Sequence, residues 1–251
     1  MIPFINVTIP TYVLFATLGT IAAVIYLYLR SDAYNMSYSK LILYMGVSVI
    51  SLFLGSKIVF TISMIPSTID NVSLSKLIEY FLNGGIVFYG GMLGVLLGII
   101  VLSKIRKEDT SELYNYFAPA IPLFHFFGRI GCFFGGCCYG VESSWGVPMT
   151  FDASTIRFPV QILESLCNLL IFIFLLVSER INSLKKHLLW IYLFLYSICR
   201  FILEFFRGDY ERGIWGVFST SQIISMVIFV ICAINCVVWL RKVRQNNEKL
   251  L

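Results

Sequence analysis

Three arginines stand in segments apolar enough to enter a membrane: Arg129 in Gly128-Arg129-Ile130-Gly131, Arg200 in Arg200-Phe201-Ile202-Leu203-Glu204, and Arg207 just beyond. A charged group at bilayer depth costs at least a few kcal/mol, so such side chains face a cavity, a partner or a ligand. A guanidinium stays charged and offers five donors in a planar fork, a geometry suited to phosphate oxygens; the plainer alternative is a structural arginine held by a carboxylate. Carboxylates for that purpose are at hand. Gln161, Glu164, Ser165 and Asn168 recur at i, i+3, i+4 and i+7 and draw one polar stripe along a helix. Tyr196, Arg200, Glu204 and Arg207, at i, i+4, i+8 and i+11, make a second. Two such stripes facing one cavity let Glu164 or Glu204 pair with an arginine and keep the charges ionised away from lipid.

The elements that must position these residues are membrane helices. Of 251 residues, 58% are hydrophobic and only 13% charged, a balance that excludes an ordinary soluble domain. Segments near the roughly 20 residues needed to cross a bilayer fall at about 9–29, 41–63, 84–103, 116–137, 159–178, 188–206 and 217–240. The expectation is therefore an all-α polytopic protein, one domain over residues 1–251, with seven transmembrane helices around a central polar cavity. With the N-terminus outside, twelve of the nineteen Lys and Arg residues fall on the cytoplasmic side and only four on the other, so the C-terminus is expected inside. The net charge of +5 is then a topology signal and no argument for nucleic acid. The first span lacks a basic leader region and a small-residue cleavage site, which reads as a retained helix. The longest connections, 64–83 and 138–158, lie on the outer side, so a chemical site is expected to open there.

Gly90, Gly94 and Gly98 at i, i+4 and i+8 strip one face of the third span for close helix packing or a lipid chain, with the Tyr89 hydroxyl beside it. The fourth segment carries Pro119 and Pro122 early and Gly128, Gly131, Gly135, Gly136 and Gly140 later, which predicts irregular backbone lining a cavity. Ser219, Ser221, Gln222 and Ser225 open the seventh span as polar residues or simple N-caps. Cys132, Cys137 and Cys138 have an unfamiliar zinc spacing and no evident fourth ligand, so neither metal nor cofactor is expected. Small packing residues, a disulfide, or a nucleophile that briefly carries lipid remain open for them.

These residues, in this order, resemble the bacterial prolipoprotein diacylglyceryl transferase family. Gly84-Gly85-Ile86-Val87-Phe88-Tyr89-Gly90-Gly91 is similar to its Gly-Gly-Leu-Ser-Phe-His-Gly-Gly motif, and Phe127-Gly128-Arg129-Ile130-Gly131-Cys132-Phe133 to its Gly-Arg-Ile-Gly-Asn-Phe signature. Phe158-Pro159-Val160-Gln161-Ile162-Leu163-Glu164 and the stretch Tyr196 to Arg207 resemble two later motifs. The resemblance implies an enzyme of the bacterial cytoplasmic membrane that moves the diacylglyceryl group of phosphatidylglycerol onto the lipobox cysteine of a prelipoprotein signal peptide, releasing glycerol phosphate. It implies catalytic roles for Arg129, Arg200, Tyr89 and Tyr196. Substrate-binding roles follow for Gly90, Gly91, Cys132, Gly140, Gln161, Glu164, Glu204, Arg207 and Lys57. The chain departs from the pattern at Tyr89 for His, Cys132 for Asn, Cys137 for Glu, Lys57 for Arg and Phe158 for His. The phosphate-handling half is thus retained and the acceptor-activating half rebuilt, which leaves two alternatives: a paralogue using the same donor for another acceptor, and a non-catalytic phospholipid-binding protein.

Overall fold

The computed structural model describes residues 10–64, 73–84, 88–149, 152–209, 214–215 and 217–248; within these, Ser63, Phe88, Tyr89, Asp152, Ile214, Trp215, Leu240 and residues 242–248 are described by backbone alone. The helices are α1 (Thr11–Arg30), α2 (Tyr38–Met64), α3 (Leu74–Asn83), α4 (Phe88–Arg106), α5 (Thr110–Phe117), α6 (Ala120–Gly135), α7 (Val160–Glu179), α8 (Asn182–Lys185), α9 (Leu188–Leu203) and α10 (Thr220–Glu248). Among the described residues, six helical stretches are long and apolar enough to cross a membrane: Thr11–Arg30, Tyr38–Ile62, Thr110–Gly135, Val160–Glu179, Leu188–Phe206 and Thr220–Trp239. The chain is a mostly helical, multi-pass membrane protein.

The mostly helical structure agrees with the expected all-α class, and two short hairpins accompany it: β1 (Glu142–Met149) pairs antiparallel with β2 (Asp152–Arg157), and β3 (Ile214–Trp215) with β4 (Phe218–Ser219). Both hairpins lie between spans, where backbone polar groups unable to join a helix pair with one another instead. The fourth segment is more regular than its glycines predict. Helix α6 runs unbroken to Gly135, and the interruption falls earlier, between α5 and α6 at Ala118 and Pro119. Pro119 caps α6 and Pro122 sits in its first turn, where a missing N–H removes no intrahelical bond. Gly131 serves packing, since a Cβ there would come within 3.0 Å of the Phe15 Cβ on α1.

The chain divides into two compact units, residues 28–113 and residues 1–27 with 114–251. In the first, α4 lies along α2 with the glycine ladder turned inward. A Cβ on Gly94 would run into the Ser51 carbonyl, and one on Gly90 would stand 2.5 Å from the Gly55 oxygen. At the other end of this pair, the buried Tyr44 hydroxyl donates to Glu108 at 2.7 Å, joined by Lys40 at 3.1 Å and Arg106 at 2.9 Å. Burial pushes the Glu108 carboxyl up, but the hydrogen bonds from Tyr44, Arg106 and Lys40 outweigh it and hold the group below the usual carboxylate range.

In the second unit, α6 packs on α7, α7 on α9, and α9 on α10. Ala118, Ile171, Leu175, Leu188 and Tyr192 form one core cluster there. The Asn115 side chain accepts from Leu189 N at 3.1 Å and donates to the Lys186 carbonyl at 2.9 Å, satisfying an orphan amide where α9 begins.

Close packing at Gly94 and open space at Gly46 on α2, where no atom lies within 4 Å of an added Cβ, give a paired expectation. Gly94→Ala lowers the thermal midpoint of the detergent-solubilised protein, because backbone must move, whereas Gly46→Ala leaves it unchanged or raises it by an amount equivalent to at most about 1 kcal/mol. Equal midpoints for the two variants would rule out this α2–α4 contact.

Candidate active site

The site is built on α7, whose polar stripe is buried over Gln161, Glu164, Ser165 and Asn168. Its register against α6 is set by Ser165 Oγ, which donates to the Phe126 carbonyl at 2.9 Å. Glu164, 3% exposed, then receives two guanidinium groups. Arg129 on α6 places Nη2 2.9 Å from Oε1, and Arg200 on α9 places Nη1 3.2 Å from Oε2 and 3.4 Å from Oε1. Arg200 continues the chain of charges through Nη2, which lies 2.8 Å from Glu204 Oε2 and donates to Ser221 Oγ on α10 at 3.1 Å. Arg207 lies beyond, 3.8 Å from Glu204 and bonded through Nε and Nη2 to both carboxylate oxygens of Asp209.

Six groups of alternating sign thus run Arg129, Glu164, Arg200, Glu204, Arg207, Asp209. Each charge is placed against its opposite, which is the condition for keeping them ionised in a low-dielectric interior. The two arginines that meet Glu164 differ in what they have left to offer. The Arg200 side chain is 8% exposed and committed through both terminal nitrogens. The Arg129 side chain is 20% exposed, and its recorded ion pair uses Nη2. Arg129 is therefore the more accessible of the two, and Arg200 the more fully engaged.

An aromatic set adjoins this network. Tyr196 stacks on Tyr192 with ring centroids 5.6 Å apart and lies 5.5 Å from the His125 ring, and the Tyr192 hydroxyl is 3.5 Å from His125 Nδ1. His125 and Arg129 are one helical turn apart on α6, so the residue four before the arginine is brought to the face that meets α9.

Where α6 ends, Gly136 adopts a left-handed conformation with φ 72°. Its amide bonds back to Phe133 O at 3.3 Å while Cys137 N bonds to Cys132 O at 3.1 Å, the pattern of a Schellman C-cap. The loop leaving this cap is held by Gln161, whose Nε2 donates to the Cys137 carbonyl at 2.9 Å. Gly140 then forms an antiparallel bridge with Arg207, supported by Gly208 N to Tyr139 O at 2.9 Å and Val141 N to Phe206 O at 3.0 Å. No side chain fits at Gly140, because a Cβ would strike the Phe158 carbonyl. Phe158 itself stacks on Phe206 at 5.0 Å and meets Trp145 edge-on at 5.4 Å.

The structure brings together Arg129, Arg200, Glu164, Glu204 and Arg207 directly, Tyr196 beside them through His125, and Gln161, Cys132 and Gly140 in the turn that follows α6. The other expected positions belong to the unit of residues 28–113. There, Lys57 Nζ donates to the carbonyls of Leu82 at 3.2 Å and Gly84 at 2.5 Å, satisfying acceptors where α3 ends. Gly90 and Gly91 are buried against α2, a Cβ on Gly91 lying 2.7 Å from Ser56 Oγ. Tyr89 lies in the first turn of α4, and its side chain lies outside the described residues.

The sequence marks Ser221 only as a polar residue or N-cap, without its Arg200 partner, and does not mark Asp209. Ser219 and Gln222 form a reciprocal capping pair, Ser219 N to Gln222 Oε1 at 2.9 Å and Gln222 N to Ser219 Oγ at 3.2 Å, as the N-cap reading expects. Ser221 stands between them and turns to Arg200, which a run of serines does not reveal. Asp209, two residues after Arg207, is a visible signal of a local ion pair.

These features define a multi-pass membrane protein with a buried arginine–carboxylate network reaching from α6 across α7 and α9 to the loop beyond. The chain belongs to the prolipoprotein diacylglyceryl transferase family, whose pattern it matches over residues 1–239. It is 34% identical over 219 residues to phosphatidylglycerol–prolipoprotein diacylglyceryl transferase 2 of Clostridium perfringens, covering 85% of this chain and 84% of that one. It is 32% identical over 220 residues to the phosphatidylglycerol–prolipoprotein diacylglyceryl transferase of Clostridium tetani, covering 85% and 86%. A relative from Chlorobaculum tepidum with the latter name is 29% identical over 173 residues, 66% of this chain and 60% of its own.

Because Glu164 neutralises two guanidinium groups, Glu164→Gln is expected to destabilise the protein by about 3–5 kcal/mol, the cost of leaving buried charges uncompensated. Ser221→Ala, which removes one hydrogen bond, costs about 1–3 kcal/mol. Chemical or thermal unfolding in detergent measures both, and a Glu164→Gln protein as stable as the parent would show that the shared carboxylate is dispensable.

Proposed function

We propose that this protein transfers the diacylglyceryl group of phosphatidylglycerol to the lipobox cysteine thiol of a prelipoprotein signal peptide. In this reaction an S–C bond forms at the glyceryl carbon as its C–O bond to phosphate breaks. The bonding electron pair leaves with the phosphate oxygen of glycerol phosphate, and the thiol proton passes to that product or to water. The observation that carries the reading is Arg129: charged, pinned to Glu164 at 2.9 Å, and more exposed than its partners. Negative charge that grows on the departing phosphate meets a donor already oriented, which is the form of stabilisation that lowers a barrier most. Arg200, held by Glu164, Glu204 and Ser221, acts as the positioning group, and Glu204, Arg207, Gln161 and Gly140 keep the surrounding backbone in place. Tyr196 borders the same network.

The family supports the remaining expectations as proposals. Helix α4 supplies a seventh span, the N-terminus lies outside and the C-terminus in the cytoplasm of a bacterium, and residues 1–251 act as one domain of its cytoplasmic membrane. The polar network lines a cavity open to the outer leaflet. Tyr89, Gly90, Gly91 and Lys57 keep the roles that the motifs assign. A phenol is a poorer general base than an imidazole at neutral pH, so the contribution expected of Tyr89 is a hydrogen bond to donor or acceptor.

The test is incubation of purified protein with radiolabelled phosphatidylglycerol and a lipobox peptide, following glycerol phosphate release and peptide lipidation together. Label on the peptide supports the transfer. Release without peptide label means another acceptor, and release of neither, with lipid bound, means a lipid-binding protein. In the same assay Arg129→Ala is expected to lose at least about a hundredfold in turnover, the scale of removing one oriented donor from a developing anion. Arg200→Ala loses turnover together with stability, and Tyr89→Phe lowers turnover while stability is kept. Full activity in Arg129→Ala would sink the phosphate role.

A further inference from the structure

The three thiols that follow Arg129 are gathered by the backbone. In a Schellman cap the side chains flanking the turn meet, and here those residues are Cys132 in the last turn of α6 and Cys137 just past Gly136. Cys138 comes next with φ 55°, a left-handed conformation that costs a residue other than glycine on the order of 1 kcal/mol or more and persists only where its surroundings impose it. That turn brings the third sulfur back to the first two. All three sulfur atoms lie within 4.8 Å of one another, and all three cysteines are free thiols.

We propose that Cys132, Cys137 and Cys138 form a three-thiolate site for a thiophilic d10 cation, monovalent copper in preference to zinc. An ion bound about 2.3 Å from each of three sulfurs sets them roughly 4 Å apart, so sulfurs already within 4.8 Å need side-chain shifts below about 1 Å. Among the described residues no histidine, aspartate or glutamate joins the cluster as a fourth ligand. Zinc in a structural site takes four protein ligands in a tetrahedron, whereas soft thiolates alone suit monovalent copper. Three thiolates around one monovalent ion leave a net negative charge, and the guanidinium groups of Arg129 and Arg207 are near enough to act on Cys138. The backbone that carries the ligands is braced from two sides, by Gln161 at the Cys137 carbonyl and by the Gly140–Arg207 bridge. Metal bound here would sit next to Arg129 and would couple copper to the site whichever acceptor the protein uses.

The experiment titrates the purified, reduced protein with monovalent copper under anaerobic conditions against the chromophoric chelator bathocuproine disulfonate. Mass spectrometry after iodoacetamide treatment then locates the protected thiols. The expected result is one copper retained per chain, with Cys132, Cys137 and Cys138 protected together while Cys167 and Cys199, neighbouring thiols on α7 and α9, react at an unchanged rate. C132S, C137S and C138S each weaken retention by about tenfold or more, and C167S does not. Complete loss of copper to the chelator, protection centred on Cys167 and Cys199, or tighter retention of zinc than of copper would overturn the proposal. Should a serine variant fail to fold, the protection map of the parent protein still decides.

Discussion

A single carboxylate shared by two guanidinium groups, Glu164 between Arg129 and Arg200, is what the arrangement around it depends on. In the interior of a membrane protein an isolated charge is costly, and the same low dielectric strengthens every pairing that removes the isolation. Glu164 therefore ties α6 and α9 to α7, and Arg200 extends the tie to α10 through Ser221. The alternation of sign continues out to Asp209, so no member can be removed without exposing the next. The two arginines differ within this geometry: Arg200 is engaged through both terminal nitrogens, while Arg129 is the more exposed and pairs through Nη2; the proposed division of labour between them rests on that difference.

The stretch from Gly136 to Phe158 is held mainly through its backbone. Phe158 stacks on Phe206 and meets Trp145 edge-on. Cys132 and Cys137 meet through the cap geometry, close to the arginine network. Gln161, Gly140 and Gly208 fix this framework by bonds to main-chain groups, so it does not depend on the side chains at Cys137 or Phe158. In the other unit, Lys57 likewise spends its ammonium on two backbone carbonyls.

Much of this was legible in the residues. Stripes at helical spacing placed Gln161, Glu164, Ser165 and Asn168 on one buried face of α7, and the prediction that Glu164 or Glu204 meets an arginine holds for both. The glycine ladder was readable as a packing face, and α2 fills it. The regularity of α6 was not readable, because local propensity counts each glycine against a helix while the neighbours that use the missing side chains, such as Phe15 beside Gly131, belong to distant sequence. The hairpins were missed because bilayer-length apolar runs dominate the pattern and short pairings between them carry little periodicity. The contact of Ser221 with Arg200 was not readable, because a serine near a helix start has a sufficient local explanation in capping.

What the sequence determined by itself was the solvent and the inventory: apolar runs of bilayer length demand helices, and charges set within them demand partners. Composition and periodicity suffice for that, since both rules act on each segment alone. Which partners meet was decided only by tertiary structure. Whether Arg129 or Arg200 keeps free donors depends on the register of α6 and α9 against α7, and the meeting of three thiols depends on a left-handed turn after Gly135. Spacing along the chain says that Cys132, Cys137 and Cys138 are near in sequence; the dihedral angles at Gly136 and Cys138 decide that their sulfur atoms converge.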